Sequence, residues 1–208
     1  TVREPVRRSA EALQAAGGRV FLVGGAVRDA MLGRPVKDFD LEVFGLPAEA
    51  VAGALGAIAR VEPAGDAFPV FKVAGLPGLE GQIDVALPRR DSKKGPGHRG
   101  IAAVADPFMK VADAARRRDF TINAMMLDLA TGVLEDPFGG ARDLAARRLR
   151  VVDPSTFAED PLRALRAAQF AARFEFEVEP ATARLCASMP LDELPAERIA
   201  GEIEKALL

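Results

Sequence analysis

Apolar residues recur at helical spacing over residues 4–16 (Val6, Ala10, Leu13, Ala16), and Gly17-Gly18 closes that stretch. A short unbroken apolar run at 20–23 reads as a buried strand. Gly24-Gly25 leads from it into a helix over 25–32, closed by Gly33. The pattern then changes period. Residues 39–44 read as a strand, and residues 47–59 as an alanine-rich helix. Two further strands are predicted at 68–73 and 82–86, separated by a Gly/Pro turn at 75–78. Residues 89–106 are polar, charged and glycine-rich. They read as a long loop, either a solvated surface segment or a mobile lid beside a site. Beyond Phe120 come a mostly apolar segment at 121–129, a turn at Thr131-Gly132 and a Pro/Gly break at 137–140. From Pro154 onward the pattern is helical, at 160–173, 180–188 and 195–207, with no clear strand. The expected organisation is an α/β domain at 1–150 and a helical domain at 151–208. The last helix reaches the chain end without a cap or stop signal, as in the N-terminal part of something longer.

Composition narrows the chemistry. One cysteine excludes an internal disulfide and a cysteine metal cage, and a reducing, cytoplasmic setting fits best. With one histidine as well, any metal site is built from carboxylates, which favours Mg²⁺ or Mn²⁺ over Zn²⁺. No apolar run approaches a membrane span, and no membrane partner is expected. The net charge of −2 argues against a nucleic-acid binder globally. Locally, arginines cluster at Arg116-Arg117-Arg118 and at Arg147, Arg148 and Arg150, and local fields decide where a phosphate backbone docks. The absence of Trp and Tyr gives no sign of extensive base stacking.

Four units carry the candidate chemistry. Asp38 and Asp40 are two residues apart at the start of an expected strand, so they face the same way and can hold divalent cations. Gly24-Gly25, before a helix, lets backbone N–H groups approach phosphates, and Arg28 lies one turn further on. Asp84 is either a third acid facing the metals or a salt-bridged strand-end acid. Arg117-Arg118-Asp119 runs into an apolar segment. Arg118 and Asp119 are candidates for phosphate or ribose contacts, against a reading as helix-flanking charges. In Glu159-Asp160-Pro161, proline and acids suit a helix start without any function. Asp160, Arg163 and Arg166, spaced by three, would also line one helix face, with acceptor and donors for the Watson–Crick edge of a base.

In this order the units resemble the head and neck of class II tRNA nucleotidyltransferases, the CCA-adding enzymes, and the related bacterial poly(A) polymerases. The matching pieces are Gly24-Gly25-x-x-Arg28-Asp29, Asp38-x-Asp40, the Arg117-to-Ala124 run, Glu159-Asp160-x-x-Arg163, and Glu197-Arg198-Ile199 with Glu202 and Lys205. They span essentially the whole chain. The resemblance implies a DNA polymerase β-like nucleotidyltransferase head with a mixed sheet, followed by an all-helical neck. It implies Mg²⁺ on Asp38 and Asp40, triphosphate and ribose contacts from Gly25, Arg28 and Arg118, and base reading by Asp160 and Arg163 with Arg166 nearby. Gln169 departs from the family, which often carries an arginine there. The Asp66-to-Phe71 run and the Arg90-to-Gly100 loop look more like bacterial CCA-adding enzymes than poly(A) polymerases. The family's body and tail domains have no counterpart in these residues. The implied activity is template-independent addition of C and A, from CTP and ATP, to the 3′ end of tRNA. The alternatives are a poly(A) polymerase, a non-catalytic nucleotide- or RNA-binding module, and a small-molecule nucleotidyltransferase of the same fold.

Overall fold

The computed structural model describes residues 3–64, 70–93, 101–192 and 194–207. The chain forms two compact units. The first comprises Thr1–Asp91, Ala103–Ala114 and Met125–Glu135, and the second Ser92–Ala102, Ala115–Ala124 and Asp136–Leu208.

The first unit is built on a mixed sheet. Its strands are β1 (Arg19–Val23), β2 (Phe39–Phe44), β3 (Arg60–Ala64), β4 (Val70–Ala74), β5 (Ile83–Ala86), β8 (Met126–Asp128) and β9 (Leu134–Glu135). Their order is β3-β4-β5-β2-β1-β8-β9. β2 and β5 run parallel, and the remaining pairs are antiparallel. β1 lies between β2 and β8, and its residues Val20 to Val23 are buried on both faces, which explains the unbroken apolar run. Helix α1 (Glu4–Ala15) buries Val6, Ala10 and Leu13, and α3 (Ala48–Gly56) buries Val51 and Leu55. α2 (Gly25–Met31) connects β1 to β2.

Two expectations change here. β3 was not legible: it is an edge strand with three exposed residues, Arg60, Glu62 and Pro63, and among the described residues only β4 pairs with it. Proline fits a ladder only at such an edge. The supposed loop at 89–106 contains β6 (Arg89–Lys93) and β7 (Ile101–Ala105), which form a two-stranded sheet. Strand preference depends on pairing context, so a charged segment such as Arg89-Arg-Asp-Ser-Lys93 gives little sign of it. Part of the Asp66-to-Phe71 run (66–69) and residues 94–100 of the long loop lie outside the described residues.

The second unit is mainly helical. It holds a 3₁₀ turn (Thr121–Asn123) and helices α5 (Gly140–Ala145), α6 (Pro154–Phe157), α7 (Leu162–Phe174), α8 (Pro180–Ser188) and α9 (Ala196–Leu207). α4 (Val111–Arg116) precedes them in the chain. Helices matching the predictions at 160–173, 180–188 and 195–207 are present. The expectation of no strand beyond 154 is corrected by β11 (Glu177–Val178), which pairs in parallel with β10 (Arg148–Leu149). Two residues are too few to leave a period-two signal. Five phenylalanines make the core. Phe120 meets Phe157 and Phe170 edge-on at 5.4 and 5.6 Å between centroids, and Phe174 lies 5.7 Å from both Phe170 and Phe176. Among the described residues no helix is long and apolar enough to cross a membrane.

Candidate active site

The predicted residues fall into two sets, one in each unit. In the first unit, register links the turn to the carboxylates. Val23, the last residue of β1, pairs with Asp40 on β2, so the chain turns through Gly24-Gly25 beside that aspartate. Gly24 has φ 67° and ψ −134°, a conformation that a residue with a Cβ rarely adopts. At Gly25 a Cβ would lie 3.3 Å from Nη2 of Arg28. The guanidinium thus folds back over the start of α2. Arg28 is neither extended nor exposed: it is 5% accessible, and its Nε donates to Oδ1 of Asp29 at 2.8 Å. Its charge therefore lies against the start of α2, at the Gly24-Gly25 turn.

Asp38 and Asp40 are exposed while Phe39 between them is buried, the alternation expected of two carboxylates on one face. Asp84 stands directly across from Asp40 on the parallel strand β5, and opposite Lys72 on β4. Its Oδ1 accepts from Gln82 Nε2 at 2.9 Å. The sequence reading missed Glu42. It continues the period of Asp38 and Asp40, so it shares their face, but it is 1% accessible. The signal was present in Asp38-x-Asp40-x-Glu42. A cleft of 470 Å³ lined by Arg19, Phe44, Gly45, Phe108 and Lys110 lies at the other ends of β1 and β2, away from these carboxylates.

These residues suit a hard divalent cation. Mg²⁺ typically binds one or two protein carboxylates and completes its shell with water and substrate phosphates. Two exposed aspartates on one face supply such donors. Among the described residues no group of three or more His, Cys, Asp or Glu is placed to hold a metal ion together, so any such cation would rest on the aspartate pair with water and substrate oxygens completing its shell.

In the second unit the charged residues mostly engage one another. Asp119 is buried. Its Oδ1 accepts from the Phe120 N–H at 2.7 Å and from Asn123 Nδ2 at 3.0 Å, and its Oδ2 accepts from Arg166 Nε at 2.8 Å. Burial opposes ionisation of this carboxyl, but the Arg166 charge and these hydrogen bonds outweigh it and hold its pKa below the ordinary value. For Arg166 burial likewise opposes the charge, and Asp119 overcomes it. Asp119 therefore positions Arg166, and both of its oxygens are already accepting from protein donors. The supposed common face of Asp160, Arg163 and Arg166 is also changed. Asp160 lies before α7, where its Oδ1 accepts from the Leu162 N–H at 3.1 Å and its Oδ2 meets Arg198 Nη2 at 3.2 Å. Arg163 donates to the carbonyl oxygens of Thr156 at 2.7 Å and Arg117 at 2.9 Å. That bond joins the Arg117-Arg118-Asp119 segment to the start of α7. Gln169 is buried and donates to the Lys205 carbonyl at 3.4 Å, so it meets α9 rather than solvent.

A mixed sheet whose Gly-Gly turn abuts a pair of aspartates is the fold of a nucleotidyltransferase head. The chain belongs to the poly(A) polymerase head domain family, whose model matches residues 20–150. The multifunctional CCA protein of Nitrosococcus oceani is 46% identical over 193 residues, which cover 90% of this chain and 44% of that protein. That of Stenotrophomonas maltophilia is 45% identical over 198 residues, covering 91% and 46%. Among solved structures, the Thermotoga maritima CCA-adding enzyme complexed with tRNA CCA matches with a TM-score of 0.79 and 31% identity, over 99% of this chain and 48% of that one. The Bacillus stearothermophilus CCA-adding enzyme in complex with CTP matches with a TM-score of 0.80 and 29% identity, over 99% and 49%. The chain thus spans about half the length of the relatives it matches.

Proposed function

We propose that this chain is the catalytic part of a template-independent nucleotidyltransferase that adds C and A to the 3′ end of tRNA. The observation that carries the proposal is the register of Val23 with Asp40, which brings the Gly24-Gly25 turn beside the two exposed carboxylates. The relatives named above, and the complexes of similar enzymes with tRNA CCA and CTP, support the choice of substrates.

In this reading residues 1–150 are the head and residues 151–208 the neck. Asp38 and Asp40 hold Mg²⁺, and Mn²⁺ suits the same oxygens. When bound, such ions acidify the attacking hydroxyl and neutralise the triphosphate. Backbone N–H groups at Gly24 and Gly25 face the phosphates, and Arg28 adds positive charge there. Arg118 contacts the triphosphate or ribose. The 3′ oxygen of the RNA bonds to the α-phosphorus of the incoming nucleotide as the bond to pyrophosphate breaks. Asp160 accepts from the exocyclic amino group of cytosine or adenine, and Arg163 donates to the neighbouring ring nitrogen. Arg166 serves this face indirectly, clamped to Asp119, and Asp119 acts through it rather than on the nucleotide.

The test is nucleotide incorporation with Mg²⁺, a tRNA lacking its 3′ CCA, and labelled CTP and ATP, with an unrelated RNA as control. Two C and then one A, confined to tRNA, is the expected result. Long A tails on both RNAs would instead make the protein a poly(A) polymerase, and transfer to neither RNA overturns the proposal.

A further inference from the structure

Among the buried polar atoms of the second unit without a hydrogen-bond partner among the described residues, two complement each other. Nη1 of Arg198 is a donor, and Oε2 of Glu202 is an acceptor. Both residues belong to α9, four positions apart, the spacing that sets two side chains on one helix face a turn apart. A buried donor or acceptor left unmade costs more than an ordinary hydrogen bond gains, so the pair calls for a reason.

The other arms of these groups supply it. Arg198 Nη2 reaches Asp160 Oδ2 at 3.2 Å, long for a charge-assisted bond. Glu202 Oε1 accepts from Lys205 Nζ at 2.8 Å and lies 4.0 Å from Arg166 Nη1. The Arg198 guanidinium is drawn towards Asp160 and leaves Glu202 half satisfied. The second oxygen of Asp160 accepts from the Leu162 N–H, which the backbone of α7 fixes. If Asp160 is to accept from a base, Arg198 is the partner that can turn away.

We propose that Arg198 is a positioning residue with two seats. It sits on Asp160 when no nucleotide is bound, and on Glu202 when Asp160 accepts from the exocyclic amino group of cytosine or adenine. The inference rests on the base-reading role of Asp160. The exchange joins the two orphaned atoms and leaves no buried charge unpaired in either state. It also makes Glu202 act on base choice through Arg198.

The test measures equilibrium binding of CTP and UTP, with Mg²⁺, to the chain and its variants. The two bases differ at the position where cytosine carries its amino group and uracil a carbonyl. Glu202→Gln removes the charged second seat, so Arg198 stays on Asp160. The expected result is that CTP binds about tenfold more weakly while UTP is unchanged. Adding Arg198→Gln to that variant frees Asp160 and restores CTP binding. A double variant that binds CTP no better than Glu202→Gln alone overturns the proposal, as does unchanged CTP binding in Glu202→Gln. Should Glu202→Gln not fold, Arg198→Gln alone decides. CTP bound at least as tightly as by the wild type supports the two seats, and parallel weakening of CTP and UTP overturns them. Asp160→Asn separates the two levels. A CTP-to-UTP ratio unchanged by it, or absent from the wild type, removes the base-reading role and the inference with it. A ratio lost in Asp160→Asn, without rescue in the double variant, removes the inference alone.

Discussion

Gly24 and Asp40 show two ways in which one residue fixes a site. Gly24 is required by backbone geometry. Replacing it with alanine places a Cβ at φ 67° and ψ −134°, and a residue held in so sparsely populated a region costs about 1–3 kcal/mol. Gly24→Ala should lower unfolding stability by that amount in urea titration, and should weaken CTP binding because the turn shifts. On the proposed function Asp40 acts by its charge, and its side chain is exposed. Asp40→Ala should reduce nucleotide transfer more than about a hundredfold, with a midpoint of unfolding close to the wild type. Retained transfer would remove it from the metal site. The aspartate pair was legible because a period of two marks one strand face, and its apolar neighbours marked the strand. The Asp119–Arg166 pair was not legible. The two residues are 47 positions apart, and a local pattern cannot tell a charge that meets the nucleotide from one that meets a distant partner in the fold. Asp160 is an intermediate case: proline and acids announced a helix start, but its bond to Arg198 crosses 38 positions.

Elements were read well where the hydrophobic period was long or the strand central, as in α1, β1, β2, α8 and α9. They were missed where pairing rather than pattern makes them, as in β3 at the edge, β6 and β7, and the two-residue β10 and β11, and in α6, whose single turn is too short to show a helical period. The second unit depends on one junction between elements, where the 3₁₀ turn meets α7. Phe120 is fully buried and touches Phe157 and Phe170. Phe120→Ala should cost about 3–5 kcal/mol, read as loss of the second unit's cooperative unfolding. Asp119 ties the same turn to α7 and adds a pH dependence. Its folded pKa lies below the unfolded one. Its contribution is therefore complete above the unfolded value of about 3.9, and is lost as pH falls below that through the folded value. Asp119→Asn should cost about 3 kcal/mol at neutral pH, since it leaves Arg166 without its partner. The gap between wild type and variant in urea titrations should narrow as pH falls below about 4. A gap independent of pH would show that the carboxylate charge is not what holds the turn.

For the whole molecule, a net charge of −2 gives no general attraction to phosphates, so the proposed function places nucleotide recognition on local groups and on a bound cation. On that proposal Asp38 and Asp40 add two negative charges where the triphosphate binds. Without a cation they repel it, and with one the same carboxylates help to bind it. Nucleotide binding should therefore be conditional on the metal, and linkage makes this visible as stability. A ligand that binds only the folded state at a hundred times its Kd stabilises by about 2.7 kcal/mol. For a chain of this length that is a rise in Tm of about 5–10 °C. CTP with Mg²⁺ should give such a rise, while CTP with a chelator, or Mg²⁺ alone, should give much less. In Asp38→Asn with Asp40→Asn the repulsion is gone and so are the metal ligands. CTP should then shift Tm by the same small amount with or without Mg²⁺. An equal rise for CTP in chelator on the wild-type chain would show that the Gly24-Gly25 turn and Arg28 hold the triphosphate unaided, and the carboxylates would lose their place in nucleotide binding.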